Sequence, residues 1–221
     1  LTANAAGALI LSGGTYTTLN ALSDTSIAQS TAALLASGTT TLTANTGPIT
    51  ADLSTQANNF GTVALVNGTG TFTSASIKDT VDGMTVGGSA GTLTANAAGA
   101  LILSGGTYTT LNAQSKASIA QSTAPLLVSG TTTLTADTNP VSVDLSTQAN
   151  DFGVVNFATA TTGSFTTVSI REAGVFDLTG LTATTLNVSA GGSITQSIAP
   201  LLVSGTTTLT ANPGPITADL S

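Results

Sequence analysis

Histidine, cysteine and tryptophan are absent from this chain, and charge is nearly so. Only 6% of the 221 residues are charged, and Lys78, Lys116 and Arg171 are the only cations against ten acids. Each absence closes something. Without Cys there is no disulfide and no thiolate nucleophile. Without His the commonest general base and the imidazole metal ligand are gone. Three cations cannot neutralise a row of phosphates or hold an anionic lipid surface, which argues against nucleic acid and against a peripheral membrane anchor. The longest apolar runs, AGALIL at 98–103 and AALLA at 32–36, fall far short of a bilayer span, so no membrane insertion is expected. Low charge is not disorder here: 41% of residues are hydrophobic and the net charge of −7 is thinly spread, whereas disordered chains combine low hydrophobicity with high net charge.

What the chain has in excess is itself. SGTTTLTA occurs at 37–44, 129–136 and 204–211. LTANAAGALILSGGTYTTLNA runs over 1–21 and returns unchanged over 93–113; SIAQSTAALLASG (26–38) returns at 118–130 and 193–205 with few changes. The array divides into units at about 1–92, 93–185 and a shortened 186–221. Both ends fall inside a repeat and no signal-peptide pattern is seen, so the array is expected to continue in both directions.

The shortened unit is the informative one. ASIKDTVDGMTVGGSAGT (75–92) leads into the block 93–110 and then LNA, whereas VSIREAGVFDLTGLTATT (168–185) leads straight into LNV at Leu186. The counterpart of 93–110 is missing there. A segment disappears cleanly only if its ends occupy equivalent positions, which is the property of one coil of a stacked parallel β-helix. Short stretches rich in Thr, Val, Ile and Leu, separated by SGG, NTGP and NGTG, agree with strands and turns. No sustained 3.6-residue period indicates a helix. The fold class expected is all-β: a β-solenoid of about 18 residues per coil and about twelve coils, forming a single array over 1–221.

The order of motifs LTANAAGA, GGSITQS, SGTTTLTAN, PITADLS and NNFGTV resembles the repeat arrays of filamentous-haemagglutinin-like proteins, large bacterial surface proteins of the two-partner-secretion type. The resemblance implies a right-handed parallel β-helix, an extracellular or cell-surface location, and work in adhesion, aggregation, biofilm or fibre formation.

Candidate sites are few. Asn20, Asn112 and Asn187 share a repeat position and read as turn amides. Asp52, Asp144 and Asp219 align, as do Lys78–Asp79 and Arg171–Glu172. A catalytic site should break a repeat, and these acids follow it, so no catalytic residue is assigned and no enzyme is expected; a polysaccharide-cleaving β-helix stands as an alternative. The two charged pairs read as solvated turn charges. Asp79, Asp82, Glu172 and Asp177 are the candidate ligands for a Ca²⁺ ion, and no other cofactor is implied. Thr makes up about a fifth of the chain, which raises a Thr-rich adhesive face for glycan or ice. TTT recurs only once per long unit, so a continuous ladder is not expected. Phe60 aligned with Phe152, and Phe72 with Phe165, read as internal stacks. The expected partners are copies of the chain itself, end to end or side by side, and surface glycans.

Overall fold

The computed structural model describes residues 1–197, 199–211 and 218–219. Twenty-three strands follow one another along the chain with no helix among the described residues. Every pairing is parallel, each strand lying against the strand one turn further on. In the first of two sheets Thr2 pairs with Asn20, Asn20 with Thr41 and Thr41 with Ala64. Later in that sheet Thr85 pairs with Ile102, Ile102 with Ala120, Ala120 with Asp144, Asp144 with Ser169, and Asn187 with Thr208. The second sheet starts from Ala8 opposite Ser26 and ends at Thr195 opposite Asp219. The chain is a β-solenoid.

Coil size departs from expectation. Side-chain contacts to the turn before span 18 residues from Asn112 to Thr94, but 24 from Thr73 to Ile49 and 25 from Thr166 to Val141. The longer coils carry extra residues, as a turn segment at 54–58 and as a register shift between Leu145 and Asn150 inside the strand Pro140–Thr159. The chain therefore makes about ten turns rather than twelve, a rod of about 48 Å at ~4.8 Å per stacked strand.

The missing block is one turn. Ala75 pairs with Leu93 and Leu93 with Leu111, whereas Val168 pairs directly with Leu186, the counterpart of Leu111. Loss of the segment equivalent to 93–110 left both flanking coils in register.

The long unit is not a whole number of turns. Thr2 lies in the first sheet, but its counterpart Thr94 lies in the second, between Ser76 and Asn112. Four turns carry the first sheet from Thr2 to Gly87, and a further half turn brings the chain to Thr94. Counterparts one unit apart therefore sit on opposite sides of the rod.

The interior follows from strand alternation. Leu93, Ala95 and Ala97 point inward, above Leu111 and Ala113 and below Ala75 and Ile77, and all are buried. Each fully buried Leu or Ile contributes about 2 kcal/mol of transfer free energy. Phe60, Phe72, Phe152 and Phe165 are buried as well, but counterparts do not stack on each other. Phe60 sits on Ala36 in the first sheet, Phe152 on Val128 in the second.

One glycine position is forced by close approach. Gly13, Gly105 and Gly180 are counterparts with φ of 90°, 99° and 102°. A Cβ on each would lie 2.5–2.6 Å from the Cβ of Ala32, Ala124 or Ala199 in the next turn. Only glycine both adopts that conformation and lets the turns nest.

Candidate functional site

Two features stand out, a buried polar column at the rod's corner and the outer faces of the two sheets.

The column starts with an amide pair. Gln29 Nε2 donates to Asn58 Oδ1 (2.5 Å) and to Ala32 O (2.9 Å); Asn58 Nδ2 donates back to Gln29 Oε1 (3.0 Å) and to Leu53 O (2.8 Å), while Leu34 N–H donates to Asn58 Oδ1 (2.9 Å). One unit further on, Gln121 and Asn150 repeat it: Gln121 Nε2 to Asn150 Oδ1 at 2.5 Å, Asn150 Nδ2 to Gln121 Oε1 at 3.1 Å, and Leu126 N–H to Asn150 Oδ1 at 2.8 Å. Both asparagines are wholly buried. An acid continues each column one turn on. Asp79, 1% exposed, accepts the N–H groups of Phe60 (2.6 Å), Val81 (2.9 Å) and Asp82 (3.0 Å). Glu172, 3% exposed, accepts those of Phe152 (3.0 Å) and Gly174 (3.1 Å).

These positions correct the reading of the charged pairs. Asp79 and Glu172 are not solvated turn charges; they close the corner from inside. Burial pushes the Glu172 carboxyl above the ordinary Glu range, the N–H donors from Gly174 and Phe152 pull it down, and the nearby Asp151 charge adds to the rise.

The candidate Ca²⁺ ligands do not converge. Asp79 and Glu172 spend their oxygens on backbone N–H groups. Asp82 is exposed and accepts a long 3.5 Å bond from Asn59 Nδ2. Asp177 accepts the hydroxyls of Thr195 (3.1 Å) and Ser197. Among the described residues no three acids gather into a metal-holding group.

The outer faces correct two further readings. Asn112 and Asn187 are strand residues rather than turn amides: Asn112 Nδ2 donates to Thr94 Oγ1 (3.4 Å) and Asn187 Nδ2 to Ser169 Oγ (3.2 Å), each one turn back. A polar ladder is also continuous where none was expected. On the second sheet Ser76, Thr94, Asn112, Thr133 and Asn156 form one unbroken column. Ser74, Thr92, Thr110 and Thr131 form a parallel one. Sequence spacing hid the ladder because different motifs, TLTAN, TTLNAQ and TTTLTA, stack on each other. The amide pairs had a visible signal: the Gln of SIAQS and the Asn of STQAN recur with the same separation in both units.

No curated protein and no solved structure shows significant similarity to the chain. A family model described as repeats of unknown function (DUF5649) matches residues 1–67, 88–158 and 166–219. Those three matches cover most of a solenoid built from the same turns, and the chain belongs to the DUF5649 repeat family.

Proposed function

We propose that this chain is a structural segment of a long extracellular bacterial β-solenoid, serving as a fibre, sheath or stalk in the manner of filamentous-haemagglutinin-like surface proteins. The observation that carries the reading is the missing turn: residues equivalent to 93–110 are skipped between Val168 and Leu186, and both sheets stay in register. A molecule whose length changes by whole turns without disturbing its neighbours has the property a spacer requires, since each turn contacts only the turns beside it. Uncharged outer columns suit close lateral packing, and export by two-partner secretion is the route the resemblance suggests.

The experiment is to insert one, two and three further copies of residues 93–110 after Thr110 and to image the rods. Length should grow by about 4.8 Å per copy, with cooperative unfolding retained. Collapse of the fold on insertion, or hydrolysis of a polysaccharide by the native chain, would sink the reading.

A second reading is favoured by the continuous hydroxyl and amide columns on the second sheet: a binding module that presents this face to a glycan or to ice. Saturable glycan binding lost on replacing Thr94 and Thr133 by Val would favour it.

A further inference from the structure

We infer that the two opposite sheet faces of the rod are docking surfaces for second copies of this chain, so that rods associate side by side in open-ended stacks. The inference rests on the structural reading above and gives that rod its partner.

The argument starts from the half turn. Because the unit spans four and a half turns, each face-building segment of one unit reappears on the other side of the rod in the next. The face charges show it. On the second sheet Asp52 pairs with Ser76, and Lys78 lies two residues further along the same strand as Ser76. On the first sheet Asp144 pairs with Ser169, and Arg171 lies two residues beyond Ser169. Each face thus carries an acid–cation pair with the same offset, about 4.8 Å along the rod and about 7 Å across it; several turns further on, the second sheet also bears Asp151 and Asp177.

Neither cation is matched by a carboxylate among the described residues. Among the described residues the only ion pair is Lys116–Asp137, N···O 3.8 Å, so Lys78 and Arg171 hold no described carboxylate. Asp52, Asp144 and Arg171 are exposed and Lys78 is half-exposed. The two acids also share a local geometry, each accepting one following serine, Ser54 or Ser146, through both its N–H and its hydroxyl. That leaves the second oxygen of each acid free of those bonds. A patch that presents an acid and a cation at this offset is complementary to another patch of the same kind, whereas a purely acidic or purely basic patch is not.

The surroundings of the charges allow close approach. Around Lys78 the outward residues are Ser74, Ser76, Thr92, Thr94 and Asn96. These short side chains lose little rotamer freedom when covered, and they let two sheets approach to the usual ~10 Å. Since both sides of one rod carry such a face, a bound copy leaves its far face open. Growth then continues instead of closing at a dimer.

The test uses the full chain, followed by sedimentation velocity and electron microscopy at low salt. The native chain should form multi-rod ribbons that disperse at 1 M salt, where screening reaches ~3 Å. Lys78→Glu disables one face and should stop growth at paired rods. Lys78→Glu with Arg171→Glu should give single rods. Exchanging the charges on both faces (Asp52→Lys, Lys78→Asp, Asp144→Lys, Arg171→Asp) keeps the faces complementary and should restore ribbons. Single native rods at every concentration would overturn the docking inference and leave the rod itself standing. Ribbons that persist in the double charge reversal would also overturn it. Native material containing no rods would sink the structural reading as well.

Discussion

The two corner columns differ chiefly at the level of their acid. The bonds between Gln29 and Asn58 and from Leu34 N–H recur at nearly the same lengths in Gln121, Asn150 and Leu126, yet the acid one turn on is Asp79 in one unit and Glu172 in the other. Asp79 takes three backbone N–H groups, whereas Glu172, one methylene longer, takes two. Around Glu172 the asparagine compensates: Asn150 Nδ2 also reaches Gln148 O (3.2 Å) and Arg171 O (3.1 Å), bonds that Asn58 lacks. What is retained between units is a buried acceptor for the N–H of Phe60 or Phe152. The identity of the acid is adjustable, and the cost of a poorer fit falls on its ionised form.

The largest effect is expected where the two columns agree. Replacing Asn58 by Leu strands the Gln29 amide, the Leu34 N–H and the Leu53 carbonyl inside the rod, at about 1–3 kcal/mol for each group left unpaired. The loss should exceed ~3 kcal/mol, and Asn150→Leu should lose a comparable amount. Chemical denaturation checks both. Gln29→Met combined with Asn58→Leu should cost less than the sum of the single changes, since each partner is the other's stranded group.

A smaller and pH-dependent effect belongs to the level where the columns differ. Glu172→Ala leaves the buried Phe152 N–H unpaired, a loss of about 1–2 kcal/mol. Burial raises the folded-state pKa of Glu172 above its ordinary 4.5, so the folded chain holds that proton more tightly than the unfolded chain. The stability Glu172 supplies is therefore fully present below pH 4.5 and declines as pH rises through the raised value. The melting-temperature gap between native chain and Glu172→Ala should be widest in acid and narrower at pH 7. A gap that widens towards pH 7 would refute the assignment.

Much of this molecule was legible in its sequence because a solenoid writes its geometry in spacing. The block omitted before Leu186 identified a whole turn from spacing alone. The half turn was not legible, because spacing reports which residues are equivalent and not which sheet each one reaches. Asn20 and Asn112 look like one site in sequence and lie on opposite sides of the rod. The same blindness hid the Ser76–Thr94–Asn112–Thr133 column, whose members come from unlike motifs. Asp79 and Glu172 were misplaced for another reason. Charged residues beside turns are normally solvated, and only the three-dimensional corner reveals that their oxygens meet N–H groups from inside.

The smallest expected effect concerns Thr40 and Thr132, the middle residues of the first two TTT runs. Strand alternation turns the outer two threonines of each run to the surface and the middle one inward. Thr40 sits between Leu19 and Val63, and Thr132 between Leu111 and Val155, all of them buried. Their hydroxyls meet no hydrogen-bond partner. An unpaired hydroxyl in an apolar interior costs about 1–3 kcal/mol on mutational scales, and valine has nearly the same shape without that group. Thr40→Val and Thr132→Val should each raise stability by about 1 kcal/mol, and together by nearly the sum, because about four turns separate them. Valine at Thr41 or Thr133, one residue along and facing outward, gains no such benefit. A gain at the inward positions with none at the outward ones, read from denaturation midpoints, would show that strand alternation, and not the composition of the TTT run, decides what each threonine costs.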